Sequence, residues 1–291
     1  MTERSEPTST VLAGVDGSPQ STAAAHWAAD EAVRRGASLR LVHAWPWLTD
    51  GVDSFADPEH LPEAVQRALA EVAADVRGRH PELAVRTDAV LDAPIDGLVA
   101  AAADAELLVL GSRGRGGFAG LLLGSVSMAV AGRSGVPVVV VREDAGGADG
   151  AAEVVVGVDA HGPEQEQEVL AFAFREAALR GARVRAVHGW DLPPLFGYAG
   201  GAVPAGEVAQ LEALETKLLS LALAGPRERH PDVPVVEDVR LGAARGLVEA
   251  SAGAALVVVG RRHREFGPRL GRVAHAVLHH AEAPVAVVPH G

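Results

Sequence analysis

Most of the chain is written twice, in the same order. VLAGVDGSP at residues 11–19 returns as VVVGVDAHGP at 154–163, LVHAW at 41–45 as AVHGW at 186–190, and RHPELAV at 79–85 as RHPDVPV at 229–235. AELLVLGSRGR at 105–115 is matched by AALVVVGRRHR at 254–264, and VPVVVV at 136–141 by APVAVV at 283–288. Kept order at a spacing of about one domain length is a duplication, and it limits the architecture more than any other feature of the chain. Each copy must bury its own core, which 291 residues allow at roughly 100–200 residues per domain. The small, acidic, aperiodic stretch EDAGGADGAA at 143–152 reads as a linker, giving domains at 1–143 and 153–291.

Within a copy, short apolar runs alternate with longer amphipathic ones. In the first copy the pattern predicts strands at 11–15, 39–44, 83–91, 107–110 and 136–141. It predicts helices over 19–35, 59–79, 95–103 and 125–133, the first with Ser18 as N-cap, Pro19 at its first turn and Gly36 ending it. Strands alternating with helices imply right-handed crossovers and a parallel sheet covered on both faces. The expected class is α/β: two tandem flavodoxin-like, Rossmann-like domains, each a five-stranded parallel sheet. In such sheets ligands gather beyond the carboxyl ends of the strands where strand order reverses, here between the first and fourth strands. The loops at that point are 14–18 and 111–124.

The second of these loops, GSRGRGGFAGLLLGS at 111–125, holds six glycines and two arginines and runs from a strand into a helix. Gly111 permits a sharp turn off the strand, and Gly114 permits close approach by a ligand. Gly124 and Ser125 open a helix whose free N–H groups and positive dipole end suit an anion. Arg113 and Arg115 offer charge-assisted hydrogen bonds to phosphate oxygens. Only one of the 26 basic residues, Lys217, is a lysine, and it lies in a helical stretch away from either loop. A lysine-dependent phosphate site is thereby excluded, and no Walker A string is present. Cysteine is absent, which removes disulfides, thiolate nucleophiles and cysteine-ligated metals. A net charge of −12 argues against a nucleic-acid partner. The polar start, MTERSEPTST, and the lack of a long apolar run lead us to expect a cytoplasmic protein with no membrane partner. His275 and His279 stand four apart on an expected helix, but no third ligand accompanies them, so no metal ligands and no catalytic residues are assigned.

At the 111–125 loop the chain resembles the universal stress protein family, whose ATP-binding members carry G-x2-G-x9-G-[ST]. Here the pattern is met by Gly111, Gly114, Gly124 and Ser125, and GVDGS, LVHAW and PVVVV agree in order. The resemblance spans nearly the whole chain and implies the adenine nucleotide alpha hydrolase-like variant of the fold. It implies that Asp16, with backbone of Gly14 and Val15, meets the adenine and ribose, that Ala44 offers backbone to the adenine, and that Leu110 and Gly111 flank the ribose. Ser112, Arg113, Gly114, Arg115, Gly116, Gly117, Gly124, Ser125 and Val126 would surround the phosphates, with Mg²⁺ as an optional companion of ATP. Read by itself, Asp16 is equally an Asx-turn capping residue.

The second copy keeps Gly157, Asp159, Gly260 and Gly271. It replaces the second loop glycine by His263, brings the last glycine two residues early and puts Arg272 where the helix-opening serine stood. Weak or absent ATP binding is expected there. The function implied is an ATP-binding stress-response regulator with little or no turnover; a slow ATPase or a nucleotide-free interaction scaffold are the alternatives. The apolar last strands are expected to pair, making an intrachain pseudo-dimer, and the chain to form a homodimer besides; the downstream protein partner is not readable from sequence.

Overall fold

The computed structural model describes residues 9–45, 63–114, 123–143, 153–162, 166–191, 205–262 and 270–291. By its internal contacts the chain divides into two units, Met1–Gly147 and Ala148–Gly291.

The first helix shows how local chemistry sets the elements. Ser18 has extended backbone, its hydroxyl accepts from the Ser21 N–H at 3.2 Å, and Pro19 follows, so α1 spans Pro19–Arg35. It stops at Gly36, whose φ of 63° is left-handed and whose N–H reaches the carbonyls of Ala32 and Val33. Small residues, Ala24, Ala25, Ala28 and Ala32, make its fully buried face and let it lie close on β1 (Thr10–Gly14) and β4 (Leu107–Gly111). The unit is completed by β2 (Ser38–Trp45), α2 (Glu63–Arg79), β3 (Val85–Leu91), α3 (Pro94–Ala101), α4 (Ser125–Arg133) and β5 (Val138–Val141).

The strands run parallel in the order β3-β2-β1-β4-β5. Sequence neighbours β1 and β2 pair, but the chain then crosses back to place β4 on the other side of β1, so the order reverses between β1 and β4. β4 and β5 are buried along their whole length, as their unbroken apolar runs require. Helices α1 and α2 pack side by side, as do α3 and α4, the two pairs covering the sheet.

Two strands are shorter than the sequence pattern predicts, for local reasons. Leu83 donates to the His80 carbonyl at 3.1 Å, a turn that delays β3 until Val85. The Ser134 hydroxyl holds both the carbonyl and the N–H of Val136, at 2.9 and 3.1 Å, so β5 starts only at Val138. The third helix begins a residue early, with Pro94 in its first turn.

The second unit repeats the plan with β6 (Glu153–Gly157), α5 (Gln167–Arg180), β7 (Arg183–Trp190), α6 (Ala205–Arg229), β8 (Val235–Leu241), α7 (Ala243–Ala250), β9 (Leu256–Arg262), α8 (Arg272–His280) and β10 (Val285–His290). Its parallel order is β8-β7-β6-β9-β10, with the reversal between β6 and β9. The repetition reaches a buried ion pair. Glu31 is fully buried in α1 and bonds Arg35 at 2.6 Å; Glu176 is fully buried in α5 and pairs with Arg180. Removing one partner of such a pair would strand a charge in the core. No helix among the described residues is long and apolar enough to cross a membrane.

Candidate functional site

Each sheet opens a cavity at its reversal point. The first, about 500 Å³, lies beyond the carboxyl ends of β1, β2 and β4. One end is apolar, walled by Val15, Val42, Ala44, Pro94, Leu98 and Leu110; the other carries Arg113, Gly114, Gly124, Ser125 and Val126. Of the residues the sequence singles out in this copy, Gly14, Val15, Asp16, Ala44, Leu110, Gly111, Arg113, Gly114, Gly124, Ser125 and Val126 all line this one space. Ser112 does not. It is buried and works as a strut: its N–H donates to Val141 and its carbonyl accepts from Gly124, both at 2.7 Å. Arg115, Gly116 and Gly117 lie outside the described residues.

The glycines have separable physical roles. A Cβ on Gly111 would fall 2.7 Å from the backbone carbonyl carbon of Gln20, so this glycine lets β4 pass under the start of α1. A Cβ on Gly114 would collide with Oδ2 of Asp16, so its bare backbone makes room first for the aspartate across the cavity. Glycine spacing alone predicts room for a ligand there and does not reveal the aspartate. Gly124 has nothing closer than 3.5 Å to its Cβ position and serves differently. It is the N-cap of α4, with extended backbone and no side chain to cap the helix, so the first-turn N–H groups are left for whatever occupies the cavity. Farther along the turn, the Ser127 hydroxyl donates to the Gly111 carbonyl at 2.7 Å and fixes the helix start against β4.

Asp16 holds a tight Asx turn. Its Oδ1 accepts from the Ser18 N–H at 3.0 Å and the Ser18 hydroxyl at 2.6 Å, while its own N–H reaches the Ser21 hydroxyl at 3.3 Å. The local-capping reading of this residue is therefore present in the structure, and Oδ2 is turned toward Gly114.

Electrostatics single out a residue that the sequence pattern does not. Arg142, just past β5, has its guanidinium held below its ordinary value, chiefly by burial and secondly by the charge of Arg113. Arg113 lines the cavity, and an anion bound beside it would ease the repulsion between the two like charges. The signal was hard to read in advance because Arg142 is 29 positions from Arg113, in chain order, and reaches it only through the β4–β5 pairing.

The second cavity, about 470 Å³, has the same address but another lining. Gly157, Asp159, Gly260 and Gly271 all border it. Arg262, the counterpart of Arg113, is bonded by Asp159 at 2.7 Å. Glu166 stands where the first unit has Ser21; burial, then the charge of Asp159, pushes its carboxyl up to about 7, with Arg262 opposing. Arg272 takes the place of Ser125 at the start of α8, and Gly271 is its N-cap, again with no side-chain cap. Residue 263, the histidine replacing the second loop glycine, lies outside the described residues.

Comparison with known proteins agrees with the duplicated plan. The model of the universal stress protein family matches residues 7–142 and again 152–289. Universal stress protein Rv2005c of Mycobacterium tuberculosis is 37% identical over 287 residues, covering 95% of this chain and 96% of its own length. A universal stress protein of Mycolicibacterium smegmatis is 42% identical over 296 residues, covering 96% of each. Among solved structures, a universal stress protein from Archaeoglobus fulgidus matches 98% of this chain and 99% of its own with a TM-score of 0.69, at 17% identity, a likeness of fold.

Proposed function

The chain belongs to the universal stress protein family, and from that premise we propose that its first unit binds ATP as a regulatory ligand, with little or no turnover. The observation that carries this reading is the two-ended cavity. An apolar end of Val15, Leu98 and Leu110 suits a purine, while the other end joins an uncapped helix N-terminus to Arg113, with Arg142 close behind.

On this reading Gly14, Val15 and Ala44 frame the base and Asp16 the sugar, with Leu110 and Gly111 beside it. Arg113, Gly114, Gly124, Ser125 and Val126 hold the phosphates, and the loop residues Ser112, Arg115, Gly116 and Gly117 support them. Asp16 is the one carboxylate in the described lining, so a Mg²⁺ ion would arrive with the phosphates and find a single protein carboxylate. The one carboxylate that reaches the phosphate end, Asp16, is already engaged through Oδ1 in its own turn with Ser18, which favours binding over hydrolysis. ATP then acts as a folded-state ligand that biases a conformation or a protein partner in the cytoplasm.

In the second unit Gly157, Asp159, Gly260 and Gly271 persist, but Asp159 and Glu166 bring carboxyls to the cavity and Asp159 already neutralises Arg262. We assign it weak or no ATP affinity. Titration of the full chain with ATP tests the reading: saturable binding that Gly114→Glu abolishes supports it, and equal binding by both proteins overturns it. Measured ADP release that Gly114→Glu removes would instead favour a slow ATPase.

A further inference from the structure

The second unit contains a cluster that the nucleotide reading does not use. His188 sits on β7 and is 2% exposed; Glu215, on α6, is buried; His161 follows β6 and its side chain is 59% exposed. Nε2 of both histidines lies 3.0 Å from the same oxygen, Oε2 of Glu215. The three donor atoms are all within 4.8 Å of one another, and among the described residues this is the one such grouping.

The hydrogen bonds of His188 point to a cation. Its Nδ1 is 2.9 Å from the Val158 carbonyl, which can only accept, so Nδ1 carries the proton. The Ala160 N–H also faces Nδ1, at a longer 3.4 Å. In the neutral ring Nε2 is then a bare lone pair, and it faces a carboxylate oxygen, also a lone-pair donor, at hydrogen-bond distance. A proton or a metal cation between them resolves the conflict, and the second imidazole nitrogen converging on the same oxygen, Nε2 of His161, favours the metal. A backbone carbonyl fixing one imidazole nitrogen so that the other can ligate is the usual outer support of a metal-bound histidine.

We propose that His161, His188 and Glu215 bind a divalent transition cation of the zinc type. Two imidazole nitrogens and one carboxylate oxygen suit zinc and its first-row neighbours, whereas magnesium and calcium prefer all-oxygen sites. Metal–ligand bonds of about 2.0–2.2 Å around a tetrahedral ion place donors roughly 3.3–3.6 Å apart, and the two nitrogen–oxygen pairs here, at 3.0 Å, need to open only by about half an ångström to admit an ion. Three protein ligands leave a fourth position for water or a partner's side chain, and the exposure of His161 gives the ion a way in. The first unit shows that the cluster is an addition. His43 occupies the place of His188, but Val65 stands where Glu215 does, counting back from the shared RHP motif, and the Asp-Gly-Ser turn lacks the histidine.

The test is zinc titration of the full chain, free of nucleotide, by calorimetry, with Co²⁺ as a spectroscopic stand-in. One zinc per chain is expected, with tetrahedral Co²⁺ bands in the visible. His161→Ala, at an exposed position, should weaken binding at least ~10-fold. His161→Cys should retain zinc, and His275→Ala, on the separate His275–His279 pair, should change nothing. Absence of stoichiometric zinc, or binding indifferent to His161→Ala, would overturn the proposal. Either result leaves the ATP reading of the first unit standing, since no residue is shared.

Discussion

At matching places of the two cavities, Ser21 of the first corresponds to Glu166 of the second, Ser125 to Arg272, and Arg113 to an Arg262 already held by Asp159. The scaffolds beneath are the same: the same strand order, the same glycine ending the first helix of each unit, the same fully buried Glu–Arg pair. Duplication has thus preserved what the sheet needs and released what the loops hold. A few side chains exchange a cavity with one carboxylate in its described lining for a cavity with two, and His161 and Glu215 join His188 in a separate cluster. Fold and site are governed by different constraints: packing tolerates little change in strands buried on both faces, while a cavity lining can be rewritten without disturbing them.

The comparison can be broken most sharply at Gly114. A glutamate there would meet Asp16 and put a second carboxylate at the phosphate end, so ATP affinity should fall by at least ~100-fold in a calorimetric titration. The matching change in the other unit, His263→Glu, should leave nucleotide affinity unaltered. Next in size, Arg113→Ala removes a charge-assisted bond of about 1.5–3 kcal/mol, a loss of roughly 10–100-fold in affinity, read in the same titration. Arg262→Ala should not reproduce it.

The carboxyl of Glu166 gives a contrast in pH. Its value in the folded chain is about 7, above the ordinary 4.5, so between those limits the folded protein keeps a proton that the unfolded chain has lost. Stability is therefore unaffected by this group below about 4.5, falls as pH rises to about 7 and stays lower above it, the full difference being about 3 kcal/mol. Glu166→Gln should raise the melting temperature at pH 8 and leave it unchanged near pH 4, and Ser21→Ala in the first unit should show no such pH dependence. Smallest of all, Gly36→Ala and Gly181→Ala should each destabilise by about 1 kcal/mol in denaturant unfolding, because both glycines have left-handed φ, 63° and 59°. Unequal costs would show that the two scaffolds differ more than their backbones do.

Much of this was legible in residue order. Ser18, Pro19 and Gly36 mark α1 because capping is local chemistry, and the glycine spacing of the 111–125 loop marks the cavity because a strand-to-helix turn is continuous in sequence. The limits fall where neighbours are made by the sheet. Arg142 meets Arg113 only because β5 pairs with β4. Glu166 enters its cavity from the first helix of the unit, and His188, Glu215 and His161 are brought together from a strand, a helix and a loop. Asp16, in the lining of the first cavity, also holds its own turn through Ser18. No spacing rule joins such residues.

The claim on which the rest depends is that the two cavities differ in kind, and the number of nucleotides bound per chain measures it most directly. In calorimetry with ATP and Mg²⁺, the full chain should bind one equivalent, lost in Gly114→Glu. Two equivalent sites, or one site that survives Gly114→Glu, would contradict it.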